Sequence, residues 1–405
     1  NEFYNSGSDS TYAPEIFGDS SAYADVYNIS PKEVALYMQD KMEFDDMVIN
    51  IGLRYDQFDP KSVYPSDRRN PANQLILPDS MMSLYPQASV ISQISPRVGF
   101  AYQLGGQAVL HFSYGHFFQM PPMYAMYENN SFLVDPNNFV TKMGNTLLEP
   151  EKTITYEIGL WQELNQVMAL DVALFYRDIY NLLTTKTIST YNQVKYGLYS
   201  NKDYGNVRGL ELKLDLALGQ LKGMVNYTLQ YTRGNADSPG QTFDRAGNNQ
   251  DPVNRLIPMG WDQRHTLNGS LIYGTEKYGG SMTAYYNSGS PYTFTPQSES
   301  VLSRINLYPN NDYRPEKFSV DCSFYYRFKL LGGYNAKLDV NIYNLFDRLN
   351  EESVNNQTGR AYTAIIKETD IAGHRSDFND YEDRIKNPSM YSSPRMVKIG
   401  IGVNF

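Results

Sequence analysis

The sequence predicts an all-β fold, a transmembrane antiparallel β-barrel, and three observations support it. Apolar and polar residues alternate with a period of two along segments about eleven residues long. The links between segments alternate between about two to four residues and roughly 27 to 48 residues, which puts every long link at one end, as barrel loops require. No stretch approaches ~18 consecutive apolar residues, which excludes a transmembrane helix. The mean hydropathy of −0.50 agrees with a barrel wall, because only every second residue of a strand meets lipid.

Thirteen segments follow one another. Segment 34–44 puts Val34, Leu36, Met38, Met42 and Phe44 on one face, and 47–57 returns with Met47, Ile49, Ile51, Leu53 and Tyr55. Next come 94–104 with Val98, Phe100 and Tyr102, and 108–118 with Leu110, Phe112, Tyr114 and Phe118. Segments 153–163 and 167–178 form a pair, the second carrying Met168, Leu170, Val172, Leu174 and Tyr176. In 206–217, Leu210, Leu212, Leu214 and Leu216 oppose Glu211, Lys213 and Asp215. Segment 221–233 shows Val225, Tyr227, Leu229 and Tyr231, and 261–273 with 278–288 form the next pair. Segment 316–329 carries Phe318, Val320, Cys322, Phe324, Tyr326 and Phe328. In 334–346, Leu338, Val340 and Ile342 oppose Lys337, Asp339 and Asn341. The last, 395–405, sets Val397, Ile399, Ile401, Val403 and Phe405 against Lys398, Gly400, Gly402 and Asn404.

The apolar face faces lipid. Ten residues at ~3.4 Å each and ~45° tilt rise ~24 Å, which matches the ~25 Å apolar band of an outer-membrane barrel. The opposite face mixes charges of both signs and suits a watery lumen. If Phe405 closes its strand at the periplasm, the short turns Asp45-Asp46, Gly105-Gly106, 164–166, 218–220, 274–277 and 330–333 are periplasmic, and all long loops are extracellular. Single-chain bacterial barrels have even strand numbers, and here the first and last strands both run inward. The expectation is therefore that these are the C-terminal strands 10 to 22 of a 22-stranded barrel. Residues 1–33 end a preceding strand or loop, and 34–405 are wall. Asn1-Glu2-Phe3-Tyr4 shows neither an initiator Met nor a basic leader, so an exported protein is expected to begin upstream of it.

Composition narrows the function. Among 405 residues there are 35 Tyr, 19 Phe, 2 Trp and a single cysteine, Cys322, so no internal disulfide forms. The net charge of −9 argues against nucleic acid as a partner. No HExxH, GxSxG, Walker A or strand-linked GxGxxG pattern occurs, so no catalytic, cofactor or metal site is expected and the chain reads as a non-enzyme. The acidic groups Asp377, Asn379, Asp380, Glu382, Asp383 and Asp237, Asp244, Asp251 lack EF-hand spacing and read as solvated loops. His111, His116, His265 and His374 read as lumen or interface polar residues. Loops 235–254 and 288–315, rich in Tyr, Asn, Asp, Pro, Gly and Ser, are candidates for ligand or partner contact. Two residues break the pattern. Asp40 has lipid parity, which calls for a bulge or a depth near the interface. Trp161 has lumen parity near the periplasmic end.

Several segments carry a family resemblance: SPRVGFAY (95–102), HFSYGHFFQMPP (111–122), LEPEKTITYEIGL (148–160), DYGNVRGLEL (203–212), WDQRHTLNG (261–269), SGSPYT (288–293), VNIYNLFDRLN (340–350) and the terminal IGVNF. Together they resemble the C-terminal barrel half of a TonB-dependent outer-membrane receptor. The nearest likeness is the Oar-like group of Bacteroidetes type, which bears a carboxypeptidase-regulatory-like domain. The resemblance implies a Gram-negative outer-membrane transporter with a signal peptide, an N-terminal plug and a TonB box. Such a receptor imports a siderophore, vitamin, glycan or peptide when the TonB complex opens the plug. It implies plug-facing lumen charges, for which the candidates are Arg54, Glu211, Lys213, Asp215, Arg264, Lys317, Asp321, Arg327, Lys337 and Asp339. It also implies that Phe405 is the residue read by the barrel-assembly machinery. The alternatives are a passive porin and a surface-exposed structural barrel whose loops bind a partner such as a surface lipoprotein.

Overall fold

The computed structural model describes residues 26–253, 255–296, 307–330, 333–366 and 385–404, with 3–4, 14–15 and 18 ahead of them. Its main sheet contains a thirteen-strand antiparallel meander in which every strand pairs with its neighbours in sequence. The strands are β1 (Lys32–Glu43), β2 (Met47–Asp59), β3 (Ile91–Leu104), β4 (Ala108–Gln119), β5 (Glu151–Asn165) and β6 (Met168–Ser189). They continue with β7 (Lys195–Leu218), β8 (Leu221–Gly234), β9 (His265–Gly274), β10 (Tyr278–Asn287), β11 (Lys317–Lys329), β12 (Asn335–Tyr343) and β13 (Met396–Asn404). All thirteen sequence segments are strands. Two-residue strands are added at the outer end. Lys142–Met143 lies parallel to β7, and Ile257–Pro258 lies antiparallel to β8.

The register keeps the apolar parity on one surface from edge to edge. Met38 pairs with Leu53, Phe100 with Phe112, and Phe112 with Ile158. Ile158 then pairs with Leu174, Leu174 with Leu210, and Leu210 with Leu229. At the far edge Phe324 pairs with Val340, and Val340 with Ile399. These side chains point outward. Leu174 is 55% exposed and Ile399 70% exposed, values that a water-soluble sheet would not tolerate in a continuous band. A shift of one residue in any strand would move its whole apolar set to the lumen, so pairing and solvation fix the register together.

The short turns sit at one end. Gly105 (φ +64°) and Gly219 (φ +58°) reverse the chain in left-handed backbone that a side chain would strain. The long connections sit at the other end, with one correction. Residues 179–205 read as a long loop. Instead β6 and β7 run on past the wall as a paired hairpin, and the chain turns at 190–194. The β-branched run Thr184, Thr185, Thr187 and Ile188 favours extension, and shifts of register at Asn201/Asp203 and Asp203/Gly205 bend the hairpin. Two predicted strand ends are also trimmed. Trp261 to Arg264 precede β9, and Asn344, at φ +52°, ends the ladder after β12. Asn344 side-chain Nδ2 donates to the Arg348 and Ser393 carbonyls, which ties down the turn-former cluster of residues 344–350. Asp40 sits opposite Ile51 without a bulge, three pairs from the turn end of β1. That is ~10 Å along the strand, near the interface.

Placing a charge on the lipid face tests this assignment. Ile158→Arg, on a residue flanked by Phe112 and Leu174, is expected to cost ~2–4 kcal/mol in urea unfolding from lipid vesicles. Ser113→Arg, which has lumen parity, is expected to stay within about 1 kcal/mol of the parent. Equal losses would contradict the assigned faces.

Candidate functional site

A transmembrane wall has no interior core, so large buried side chains collect elsewhere. They lie on and around the β6–β7 extension. One cluster joins Phe58, Ala125, Met126, Tyr127 and Leu148 to Leu183 and Tyr199 of the hairpin. A second joins Phe132 and Met143 to Tyr196 and Leu198, with Tyr85, Val134 and Ile188 packed against it. The loops after β2 and β4, the latter with the short helix α1 (Met123–Tyr127), thus fold onto the hairpin as an extracellular cap. Polar ties hold it at the edges. The Tyr196 hydroxyl donates to the Arg68 carbonyl (2.8 Å), and Tyr127 donates to the Pro60 carbonyl (2.9 Å). Arg68 Nη2 donates to Asn145 Oδ1 (2.8 Å), while Asn145 Nδ2 donates to the Tyr199 carbonyl (2.9 Å). Burial pushes the Tyr196 and Tyr127 phenols up to about 12, and it lowers the pKa of the Arg68 guanidinium.

The loop between β8 and β9 contributes helix α2 (Gln241–Gly247), which packs against β6. Its anchor is Phe243, fully buried beside Thr185 and Gly197. A Cβ on Gly197 would lie 2.7 Å from Thr185 Cγ2 and 3.2 Å from the Phe243 ring, so the glycine makes the docking possible. Phe139 packs on the Phe243 ring from another side, and Lys142 pairs with Asp244 at 3.0 Å.

Between α2 and the hairpin lies a cavity of about 710 Å³. Thr184, Thr185, Lys186 and Asp203 line it from β6 and β7, while Gln241, Arg245, Gln250 and Arg255 line it from the α2 loop. Arg245 is held by carbonyls. It donates to the Asp251 oxygen through Nη2 (2.6 Å) and Nε (3.1 Å), and to the Leu307 oxygen at 3.4 Å. Arg255 lies over the Tyr308 ring, 5.1 Å from its centroid. Thr185 is fully buried, and its hydroxyl has no protein partner. Sequence reasoning singled out loop 235–254 as a contact loop but did not find Thr184, Thr185, Lys186 or Asp203, which lay in a supposed loop. The Thr-Thr-Lys-Thr run was the available signal.

Of the candidates expected to face the lumen, several pair along their own strand. Arg54 chelates buried Asp56 (Nε to Oδ1 2.9 Å, Nη2 to Oδ1 2.8 Å). Lys213 meets Asp215 at 2.9 Å and Lys337 meets Asp339 at 2.5 Å. Residues two apart on a strand share a face, which is why these pairs form. Lys317 pairs with Glu352, Asp321 accepts the Asn344 N–H (2.8 Å), and Arg327 lies over Tyr325 while donating to the Glu276 carbonyl. Glu211 is exposed. Arg264 sits 3.9 Å over the Tyr231 ring and donates to fully buried Asp262 (3.2 Å), which also accepts from Tyr313 and the Thr232 N–H. Trp161 pairs across the lumen face with Val109 and Asp171.

The three described histidines are spread over the wall. His111 reaches Asp171 at 3.4 Å on the lumen face, whereas His116 and His265 meet Tyr114 and Tyr227. Asp237 accepts the Gly260 N–H, and Asp244 takes Lys142. Among the described residues, no three His, Cys, Asp or Glu gather as a metal set. His374, Asp377, Asn379, Asp380, Glu382, Asp383 and Phe405 lie outside the described residues.

With this geometry in hand, comparison with known proteins is direct. The family model for the TonB dependent receptor-like β-barrel matches residues 1–345. The outer membrane transporter YddB from Escherichia coli superposes with a TM-score of 0.55 at 14% identity, over 79% of this chain and 42% of that one. P. aeruginosa FpvA bound to a pyoverdine gives 0.52 at 14% identity, covering 92% and 38%. The FrpB iron transporter from Neisseria meningitidis gives 0.50 at 16%, covering 80% and 43%. At these identities the likeness is one of fold. The chain spans about two fifths of the length of these structures. No curated protein sequence matches it.

Two measurements test the cap. Gly197→Ala is expected to release α2, so that limited proteolysis cuts loop 235–264 faster while the wall stays resistant. The raised phenols give a pH dependence. Tyr196 ionises near its ordinary 10.0 when unfolded and at about 12 when folded, so its contribution is complete below pH 10 and falls away as pH rises toward 12. Protection of the cap from protease should decline across that window. Tyr196→Phe should blunt the decline and lower cap stability by about 1 kcal/mol through loss of the Arg68 hydrogen bond.

Proposed function

The chain belongs to the TonB-dependent receptor β-barrel family of the Gram-negative outer membrane, and we propose that it forms the C-terminal strands of a 22-stranded plugged barrel that imports a substrate. The observation behind this reading is the geometry of the meander. Its two outer strands, β1 and β13, run in the same direction, and each has one neighbour in the sheet. In hydrocarbon their outer edges need strand partners, and a strand of opposite direction must stand between them for an all-antiparallel barrel to close. Nine further strands meet that requirement and give the 22 of a plugged transporter.

In this reading the paired lumen charges Arg54, Lys213, Asp215, Lys337 and Asp339, with Glu211, Arg264, Lys317, Asp321 and Arg327, face the N-terminal plug across water. The cap and the plug bind the substrate from outside. The TonB complex, driven by the proton-motive force, then opens the plug. The barrel performs no covalent chemistry, and Phe405 serves as the assembly signal. The subgroup likeness to Oar-like receptors and a surface lipoprotein seated on the cap are further parts of the proposal.

The test is energised uptake by cells carrying the intact receptor. Deletion should abolish growth on one member of a panel of siderophores, cobalamin, glycans and peptides, and a protonophore should stop accumulation in the parent. Steady ion conductance of the purified receptor in planar bilayers, with uptake indifferent to the protonophore, would point to a porin and overturn the reading. Loss of a surface complex without any uptake defect would make the barrel a structural component instead.

A further inference from the structure

The cavity between α2 and the β6–β7 hairpin differs in charge from the molecule around it. The chain carries a net −9. The cavity brings Lys186, Arg245 and Arg255 together against one carboxylate, Asp203, so three positive charges and one negative leave +2. The Asp251 carboxylate also acts on Arg245, which brings the local sum to +1. Arg245 is oriented by two backbone carbonyls, and Arg255 by the face of Tyr308. Backbone dipoles and a ring fix where each guanidinium points, and the positive remainder sets the site to receive an anion.

The remaining lining is uncharged, with amides and hydroxyls beside the apolar Pro252, Val253 and Leu256. Thr242 offers an accessible hydroxyl, and Gln241 and Gln250 add amides. No aromatic side chain is among the described lining residues. The volume of about 710 Å³ lies within the usual range for small-ligand sites and admits a short oligosaccharide. Cations placed for carboxylates, beside hydroxyl and amide groups placed for sugar hydroxyls, define one ligand chemistry.

We propose that this cavity is the extracellular binding site for an acidic glycan, a short oligosaccharide bearing uronate carboxylates. The inference rests on the uptake reading above and narrows its substrate class. Arg245 and Arg255 bind the carboxylate, and Thr242 with the two glutamines binds the hydroxyls. Lys186, exposed at the rim, attracts the anion before docking.

The test is isothermal titration calorimetry on the intact receptor purified in detergent, with digalacturonate and its uncharged methyl ester as probes. The acid is expected to bind at least about tenfold more tightly than the ester. Arg255→Gln and Lys186→Gln should each reduce that preference. Lys186 is exposed and supports no packing, so its variant keeps the test valid even if an arginine variant misfolds. Equal affinity for acid and ester, no binding of either, or an acid preference that survives both substitutions in folded protein overturns the proposal. Failure here while energised uptake of another substrate persists removes this site assignment alone. Acid binding that persists without any energised uptake removes the transport reading alone.

Discussion

The backbone has no water to bond with inside hydrocarbon, and the rest of this structure depends on that constraint. Every N–H and C=O in the wall must find another strand, so the chain can cross only as a continuous ladder. Pairing each strand with its sequence neighbour satisfies this with the shortest turns, and the meander from β1 to β13 is the result. Pairing then fixes parity. Once Phe112 lies between Phe100 and Ile158, the side chains two residues on must also face lipid, and those between them the lumen.

The same constraint explains where the conventional core is. A wall one strand thick spends its apolar residues on lipid, so Leu174, Ile399 and Ile401 are exposed although they are among its most hydrophobic positions. Above the membrane water returns, and burial again becomes the driving force. There β6 and β7 keep their ladder but change its use, offering Leu183, Tyr196, Leu198 and Tyr199 to the loops after β2 and β4. Two strands therefore serve two solvents, and the shifts of register near Asp203 mark the change.

Much of the wall was legible in the sequence because one physical rule, alternation against lipid, acts on every strand. Segments 47–57 and 108–118 needed no knowledge of their neighbours. The hairpin was not legible, because beyond the interface its two faces meet different protein surfaces instead of lipid and lumen. Tyr196 and Leu198 pack on one cluster while Thr185 and Gly197 receive Phe243, so apolar and small residues no longer alternate in a simple way. The cavity was hidden for a related reason. Its residues come from 184–186, 203 and 235–256, and only the folding of α2 onto β6 brings them together.

The treatment of charge separates these two regions. Along a strand, residues two apart point the same way within reach of long side chains, so the wall matches Lys213 with Asp215 and Lys337 with Asp339 on the spot. Such pairs are solvated and contribute at most about 1 kcal/mol each, and they leave the lumen face close to neutral locally. In the cap the chain leaves the strand geometry, and among the described residues Arg255 is positioned by the Tyr308 ring instead of a carboxylate. Its charge is then held in place but not cancelled. Holding an uncancelled cation in a partly closed space is unfavourable for the protein alone and becomes favourable when an anion enters. The wall compensates its charges within single strands, whereas the cavity leaves that compensation to a ligand.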